Sequence, residues 1–328
     1  MTKVSIIIAT HNRPHLLASA VQSAQAASRR DVEVIVVDDA STDENADIAR
    51  RLRDVKYIRI ECNQGVAGAR NVGILASRGE YLSFLDDDDL RLGGSLDKQI
   101  DALDFAPAAG LVYGQAILGL ENGSQADELY PVRCPQGDVF WELLSQNFVP
   151  CGTAVFRRSC LNRVGLLDSS ISGIDDWDLW LRIAELYPML SEKLPVIVWR
   201  KSTPFSGQGT SNAVKIVEMS TRRFYQHWMS LPRVNQASVQ QRRKISRQFS
   251  DNMANHLLWE AVRSALAGQP LRSQKNILAV IRLCPTGVAR ALLRPRSFRS
   301  LLKHAPQERE ALKSARTASK RQAVRSRT

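Results

Sequence analysis

Residues 4–14 read VSIIIATHNRP and residues 32–43 read VEVIVVDDASTD. In each, a near-continuous apolar run, Val4 to Ala9 or Val34 to Val37, gives way to polar residues. Apolar runs without alternation describe strands buried on both faces, as in a parallel sheet covered by helices. Pro14 suits the first turn of a helix, where its missing N–H costs nothing, so the first stretch predicts strand, polar turn, helix. The beat continues outward with a polar helix ending near Arg53, a strand from Lys56 to Glu61, a helix over Val66 to Ser77 and a strand from Tyr81 to Asp86. This is a βαβ nucleotide-binding architecture, in which ligands sit beyond the carboxyl ends of the strands. Three polar clusters fall at such ends: Thr10-His11-Asn12, Asp38-Asp39 and Asp86 to Asp89.

The last cluster is the most informative. Four consecutive carboxylates repel one another and need a cation or hydrogen-bond donors close by. A hard divalent ion such as Mg²⁺ meets that need, because it takes one or two protein carboxylates and bridges to phosphates. An acidic surface turn is the plain alternative. A carboxylate at Asp39 can accept the imide N–H of a pyrimidine base, or the Asp38 to Asp43 segment can be an Asx-type turn with Ser41, Thr42 or Asp43 capping the next helix.

Residues 63–73, NQGVAGARNVG, form a helix start rich in small residues that carries one arginine. Small residues allow close packing on the sheet, while Arg70 supplies a permanent charge able to meet a phosphate or brace the acidic cluster. The stretch lacks Walker A spacing, and no G-x-G-x-x-G follows the first strand, which disfavours an ATPase or an ordinary dehydrogenase.

Beyond residue 118 the pattern changes. Gly119 to Gln136 is rich in Gly, Asn, Ser and Pro and reads as a loop or insertion shaping an acceptor pocket. Thr153 to Phe156 reads as a strand and Trp177 to Leu186 as a helix. After Asn212 the chain reads as short helices divided by Pro232, Pro270, Pro285, Pro295 and Pro306. The expected division is 1–212 for a catalytic body (a nucleotide-binding half to about 118, then an acceptor half), 213–311 for a helical basic extension and 312–328 for a disordered tail.

Charge divides at the same place: residues 1–212 carry 21 Lys/Arg against 28 Asp/Glu, and residues 213–328 carry 24 against 5. A basic region on an acidic body points to an anionic partner. From Asn276 to Lys303, Leu, Ile, Val and Phe alternate with arginine in a pattern suited to amphipathic helices on an anionic membrane surface, or to helices that merely complete the fold. Few aromatics for base stacking disfavour nucleic acid as a partner. The five cysteines are scattered without a C-x-x-C pair, which suits a reducing compartment rather than a disulfide framework or a structural zinc site. No run reaches the length of a membrane span, so the expected location is cytoplasmic, at most peripheral on the cytoplasmic membrane face.

Taken together, VSIIIATHNRP, VVDDASTD, NQGVAGARNVG, FLDDDD, VGLLD (164–168) and DDWDLWLR (175–182) resemble glycosyltransferase family 2 in order and spacing over roughly the first 200 residues. The resemblance implies a GT-A fold: a Rossmann-like, mostly parallel sheet flanked by helices, here with the basic helical extension. It implies an inverting transfer of sugar from a nucleoside-diphosphate sugar, UDP-sugar first, to a saccharide, lipid-linked or other hydroxyl acceptor, with Mn²⁺ or Mg²⁺ as cofactor, in cell-surface polysaccharide or glycolipid synthesis. A nucleotidyltransferase and a non-catalytic sugar-nucleotide or membrane-binding scaffold are the competing readings.

Carried over by position, Thr10, Asn12, Arg13, Asp39 and Arg70 resemble nucleotide contacts, and Asp86-x-Asp88 resembles the DXD motif. Asp86 and Asp87 then stand towards the ribose, with Asp88 and Asp86 on the metal. The acidic neighbours leave that register open by one residue. Asp176 matches the family's acceptor-side base, with Asp175 as the other candidate and helix N-terminal acidity as the plain reading. After Val196 to Trp199, relatives often place a histidine past an arginine. This chain has Arg200-Lys201-Ser202-Thr203-Pro204 and no histidine there.

Overall fold

A computed structural model describes residues 2–28, 30–42, 52–119, 125–200 and 213–293 of the chain. The chain divides into two compact units, Met1–Ser206 and Gly207–Thr328.

The first unit is built on one sheet. Strands β1 (Val4–Thr10), β2 (Val32–Asp39), β3 (Val55–Ile60) and β4 (Tyr81–Asp86) are parallel, in the order β3-β2-β1-β4. A mixed half extends from β4 through β8 (Ala154–Arg157), β6 (Leu111–Gly119), β9 (Met189–Arg200) and β5 (Leu90–Arg91), with β7 (Gln125–Tyr130) paired to β6. The doubly buried strands expected from the apolar runs are present. Val4, Ile6 and Ile8 of β1 pack with Leu17, Ala20 and Val21 of α1 (Pro14–Gln25) and with Leu96, Ile100 and Leu103 of α3 (Ser95–Phe105). The opposite face carries Ile35, Val37 and Ala69, the last from α2 (Gly65–Ala76). Gly73 sets that close approach, since a Cβ there would stand 2.3 Å from Ile7 Cγ2.

Among the described residues, the remaining α-helices of this unit are α4 (Phe140–Ser145), α5 (Leu161–Val164) and α6 (Asp175–Leu186). Phe84, Phe156 and Trp180 form an aromatic cluster with centroids 5.3 to 6.1 Å apart, locking α6 to β4 and β8. Trp177 Nε1 donates to Leu143 O at 2.7 Å, fixing the start of α6 on α4.

Two expectations need correction. The stretch read as a loop, Gly119 to Gln136, contains β7, which pairs antiparallel to β6 despite its polar sequence. A strand at the margin of a sheet draws its stability from ladder hydrogen bonds and needs no apolar run. The second unit is likewise not made only of short helices. After α7 (Ala213–Gln226) and α8 (Pro232–Gln236) comes α9, Val239–Leu266, with 28 residues, followed by α10 (Pro270–Leu283) and α11 (Pro285–Leu293). Pro232, Pro270 and Pro285 do mark helix starts, but no proline lies between 233 and 269, and Ser238 caps α9 by accepting from Gln241 N–H at 3.1 Å. Phe224 and Phe249 stack at 4.0 Å in this unit's core. None of the described helices is long and apolar enough to cross a membrane. Most of the polar helix expected before Arg53, Pro295, Pro306 and the tail 312–328 lie outside the described residues.

Candidate active site

The four carboxylates occupy one tight turn between β4 and β5, closed by Asp89 N–H donating to Asp86 O at 3.0 Å. Because β4 lies beside β1 in register, Ala9 opposite Asp86, this turn lies beside the Thr10 to Arg13 loop. Each residue of the turn has its own environment. Asp87 faces inward: Thr10 Oγ1 donates to its Oδ2 at 2.7 Å and Arg13 Nη1 to its Oδ1 at 2.8 Å. Burial nonetheless pushes it up to about 6. Asp88 also receives Arg13 Nη1, at 3.0 Å.

Asp89 is fully buried and accepts Arg200 N–H at 2.9 Å. Burial, with the charges of Asp86 and Asp88 added, holds its carboxyl well above the ordinary range. One oxygen from each of Asp86, Asp88 and Asp89 lies within 4.8 Å of the others. Three hard oxygen donors at that separation fit a single divalent cation, which would relieve their mutual repulsion. Asp89 thus stands in one cluster with Asp86 and Asp88, the two residues expected on a metal from the sequence. The signal for it was the unbroken acidic run, but which three of four converge follows from the turn.

Arg70 is buried, donating from Nη2 to Asp86 Oδ1 at 2.6 Å and from Nη1 to Asp175 Oδ2 at 2.7 Å. Of the two roles open to it in the sequence, the geometry matches the brace, with the guanidinium 5.2 Å from the Phe84 ring. Asp175 and Asp176 stand in the first turn of α6. Asp175 is committed to Arg70, whereas Asp176 has its Oδ1 near Trp177 N–H, at 2.7 Å. Burial first, and the charge of Asp175 second, push Asp176 up to about 7. Two neighbours gave no sequence signal. The buried Cys151 thiol is pushed well up by burial, with further contributions from Asp86, Asp176 and Asp175. Tyr130, at the end of β7, is pushed up to about 12 by burial and by Asp176.

At the β2 end both carboxylates are engaged within the chain. Asp38 makes the turn, its Oδ1 accepting Ser41 N–H at 2.9 Å and its Oδ2 the Tyr57 hydroxyl at 2.5 Å. Asp39 reaches instead to the start of α2, accepting Gln64 N–H at 2.7 Å. Asn12 and Ala40, each after a strand, have positive φ of 54° and 58°, a backbone region disfavoured for residues with a Cβ and concentrated at functional sites. Asn12 ties the two loops: its N–H donates to Ser41 Oγ at 2.9 Å and its Oδ1 accepts Thr42 N–H at 2.8 Å. His11 Nδ1 lies 2.7 Å from Asp39 O, so Nδ1 carries the proton and Nε2 accepts from Asn12 Nδ2 at 3.1 Å.

Arg200 is turned inward, with Nε donating to Asp88 O and Nη2 to Ser19 Oγ at 3.3 Å. It steadies the acidic turn from β9; Lys201 to Pro204 lie outside the described residues. The VGLLD segment is also structural. Asn71 Nδ2 donates to Leu167 O at 2.9 Å, and Leu167 N–H donates to Asn71 Oδ1 at 3.0 Å.

The profile of Glycosyl transferase family 2 matches residues 5–165. The chain is 30% identical over 187 residues to UDP-Glc:alpha-D-GlcNAc-diphosphoundecaprenol beta-1,3-glucosyltransferase WfaP of Escherichia coli, over 56% of this chain and 70% of that protein. It is 28% identical over 191 residues to an uncharacterized glycosyltransferase of Nostoc sp., over 54% of this chain and 56% of that one. Among solved structures it is similar to the mannosyltransferase PcManGT from Pyrobaculum calidifontis in complex with GDP-Man and Mn²⁺ (TM-score 0.57, 18% identity, 96% of this chain and 86% of that). It is also similar to residues 1–349 of TarS from S. aureus (TM-score 0.50, 16% identity, 93% and 92%). At these identities the structural likeness is one of fold, the GT-A fold of glycosyltransferases.

Proposed function

The chain belongs to glycosyl transferase family 2, and we propose that it transfers a sugar, with inversion, from a UDP-sugar to the hydroxyl of a lipid-linked saccharide. The observation that carries this reading is the convergence of Asp86, Asp88 and Asp89 within 4.8 Å, bridged through Arg70 to the start of α6, where Asp176 lies. Asp86, Asp88 and Asp89 would hold Mn²⁺ or Mg²⁺, which would supply charge stabilisation to a departing diphosphate. Thr10, Asn12, Arg13 and Asp39 form the nucleoside side of the site. Within it, Asp87 fixes Thr10 and Arg13, and Arg70 fixes the acidic turn.

Asp176 is the group assigned to take the acceptor proton. As the acceptor oxygen bonds to the anomeric carbon, the bond from that carbon to the diphosphate breaks, its electron pair leaves with the diphosphate, and the hydroxyl proton passes to the Asp176 carboxylate. Attack from the side opposite the leaving group inverts the centre. Asp175 serves less well because its oxygen is held by Arg70. The E. coli relative, whose name specifies a diphosphoundecaprenol-linked acceptor, supports a lipid-linked acceptor and a role in cell-surface glycan synthesis on the cytoplasmic membrane face. A panel of nucleotide sugars, assayed with and without Mn²⁺ on a polyprenyl-diphosphate-linked monosaccharide, tests the reading. Metal-dependent product from a UDP-sugar is expected. Turnover with no donor, or equal turnover after chelation, would reject it.

A further inference from the structure

Helix α10 turns an apolar face outward. Leu271 is 75% exposed, Leu278 66%, Ile281 53% and Ile277 43%. On a helical wheel Leu271, Leu278 and Ile281 share about a third of a turn with Lys275 and Arg282. The other side of the helix, Ser273, Asn276, Ala279 and Val280, is buried, and α10 packs on α9. A groove of about 560 Å³ is lined by Val214, Leu271 and Ala279 together with the cations Arg272, Lys275 and Arg282.

Charge identifies the occupant. Residues 213–293 carry 13 Lys/Arg and only Glu218, Asp251 and Glu260 as acids. All three are already paired, with Arg282, Arg290 and Arg263. A second copy of the same face would set cations against cations with no acid to answer them. A nucleic acid would find no aromatic side chain on α10 to stack against. Interleaved leucine, isoleucine, lysine and arginine on the exposed side of a helix match the boundary between phospholipid headgroups and acyl chains.

We propose that the outer face of α10 docks on an anionic phospholipid surface, with Leu271, Leu278 and Ile281 entering the acyl boundary and Arg272 and Lys275 meeting headgroup phosphates. This places the lipid-facing element earlier than the sequence pattern did: the helix starts at Pro270, and residues 294–303 lie outside the described ones. The inference does not depend on sugar transfer.

Sedimentation of the full chain with vesicles of phosphatidylcholine, alone or mixed with phosphatidylglycerol, tests it without any catalytic readout. Binding to the mixed vesicles and little to the neutral ones is expected, with each engaged cation contributing about fivefold. The variant Leu271→Ser/Leu278→Ser/Ile281→Ser should lose most of the fraction that survives high salt, and Arg272→Gln/Lys275→Gln most of the salt-sensitive fraction. Hydrogen exchange on the unmodified chain, needing no variant, should show residues 270–283 protected by mixed vesicles. No binding to mixed vesicles, undiminished binding by the serine variant, or protection of 270–283 through self-association without lipid would each overturn the proposal.

Discussion

Arg70 and Asp175, 105 residues apart in the chain, meet at 2.7 Å in the interior of the first unit. The same guanidinium holds Asp86 at 2.6 Å, so one side chain joins the acidic turn to the helix that carries Asp175 and Asp176. Planarity and two separate N–H arms allow this, and a lysine ammonium offers neither.

Arg70→Lys should therefore fail to span both carboxylates, and Arg70→Met should leave Asp175 buried, and Asp86 part-buried, without a countercharge. Breaking such a pair costs about 3 to 5 kcal/mol. Thermal unfolding of Arg70→Met should show a fall in Tm of several degrees and a loss of transfer, with Arg70→Lys between it and the parent. An unchanged Tm for both would show that Arg70 does not brace the site.

Metal removal should weaken nucleotide binding rather than unfold the chain. By calorimetry, UDP affinity should drop at least about tenfold on chelation, a loss of about 1.4 kcal/mol. Asp88→Ala and Asp89→Asn should reproduce that drop and remove its dependence on added Mn²⁺. Asp87→Asn should act differently, loosening Thr10 and Arg13 while keeping a response to metal, because Asp87 faces them and lies outside the triad.

Asp176→Asn should lower transfer by about 10² to 10⁴ while UDP affinity stays near that of the parent, since a base acts on the acceptor proton. Wild-type turnover from Asp176→Asn, with loss in Asp175→Asn, would move the role to Asp175.

The protonation of Asp176 has a thermodynamic signature. Burial and Asp175 raise it to about 7, above its value in the unfolded chain. The folded state therefore binds the extra proton, and metal-free stability should fall as pH rises from near 4 through about 7. Asp176→Asn should flatten that part of the stability profile, a gain visible at pH 8 and small at pH 4 in denaturant titrations. In the proposed reaction the carboxylate form is required, so kcat/KM should show an acid limb at or below about 7, Arg70 and a bound cation both favouring ionisation.

Gly73 tests the packing that places these groups. An added Cβ would press on Ile7 Cγ2 at 2.3 Å, and overpacking of this kind costs about 1 to 3 kcal/mol. Gly73→Ala should lower Tm without changing metal dependence in the fraction that remains folded.

The amino-acid sequence by itself determined the parallel strands, because apolar runs such as Val34 to Val37 can be buried only between two layers. It also determined where the polar clusters end up, since Thr10, Asp39 and Asp86 follow those runs directly. Local pattern failed where structure is held by distant partners. β7 is polar and exists through its ladder with β6. The 28 residues of α9, by contrast, were legible locally, since no proline stands between 233 and 269. Only tertiary structure decided which acids converge: a single turn sends Asp87 inward to Thr10 and Arg13 and gathers Asp86, Asp88 and Asp89. Only tertiary structure gave Arg70 its place between Asp86 and Asp175 and left Asp176 beside them, with no guanidinium bonded to it among the described residues. The reason is physical: the sequence lists the charges, but the free energy of a charge depends on its burial and on what stands within a few ångströms, and contacts across 105 residues set both.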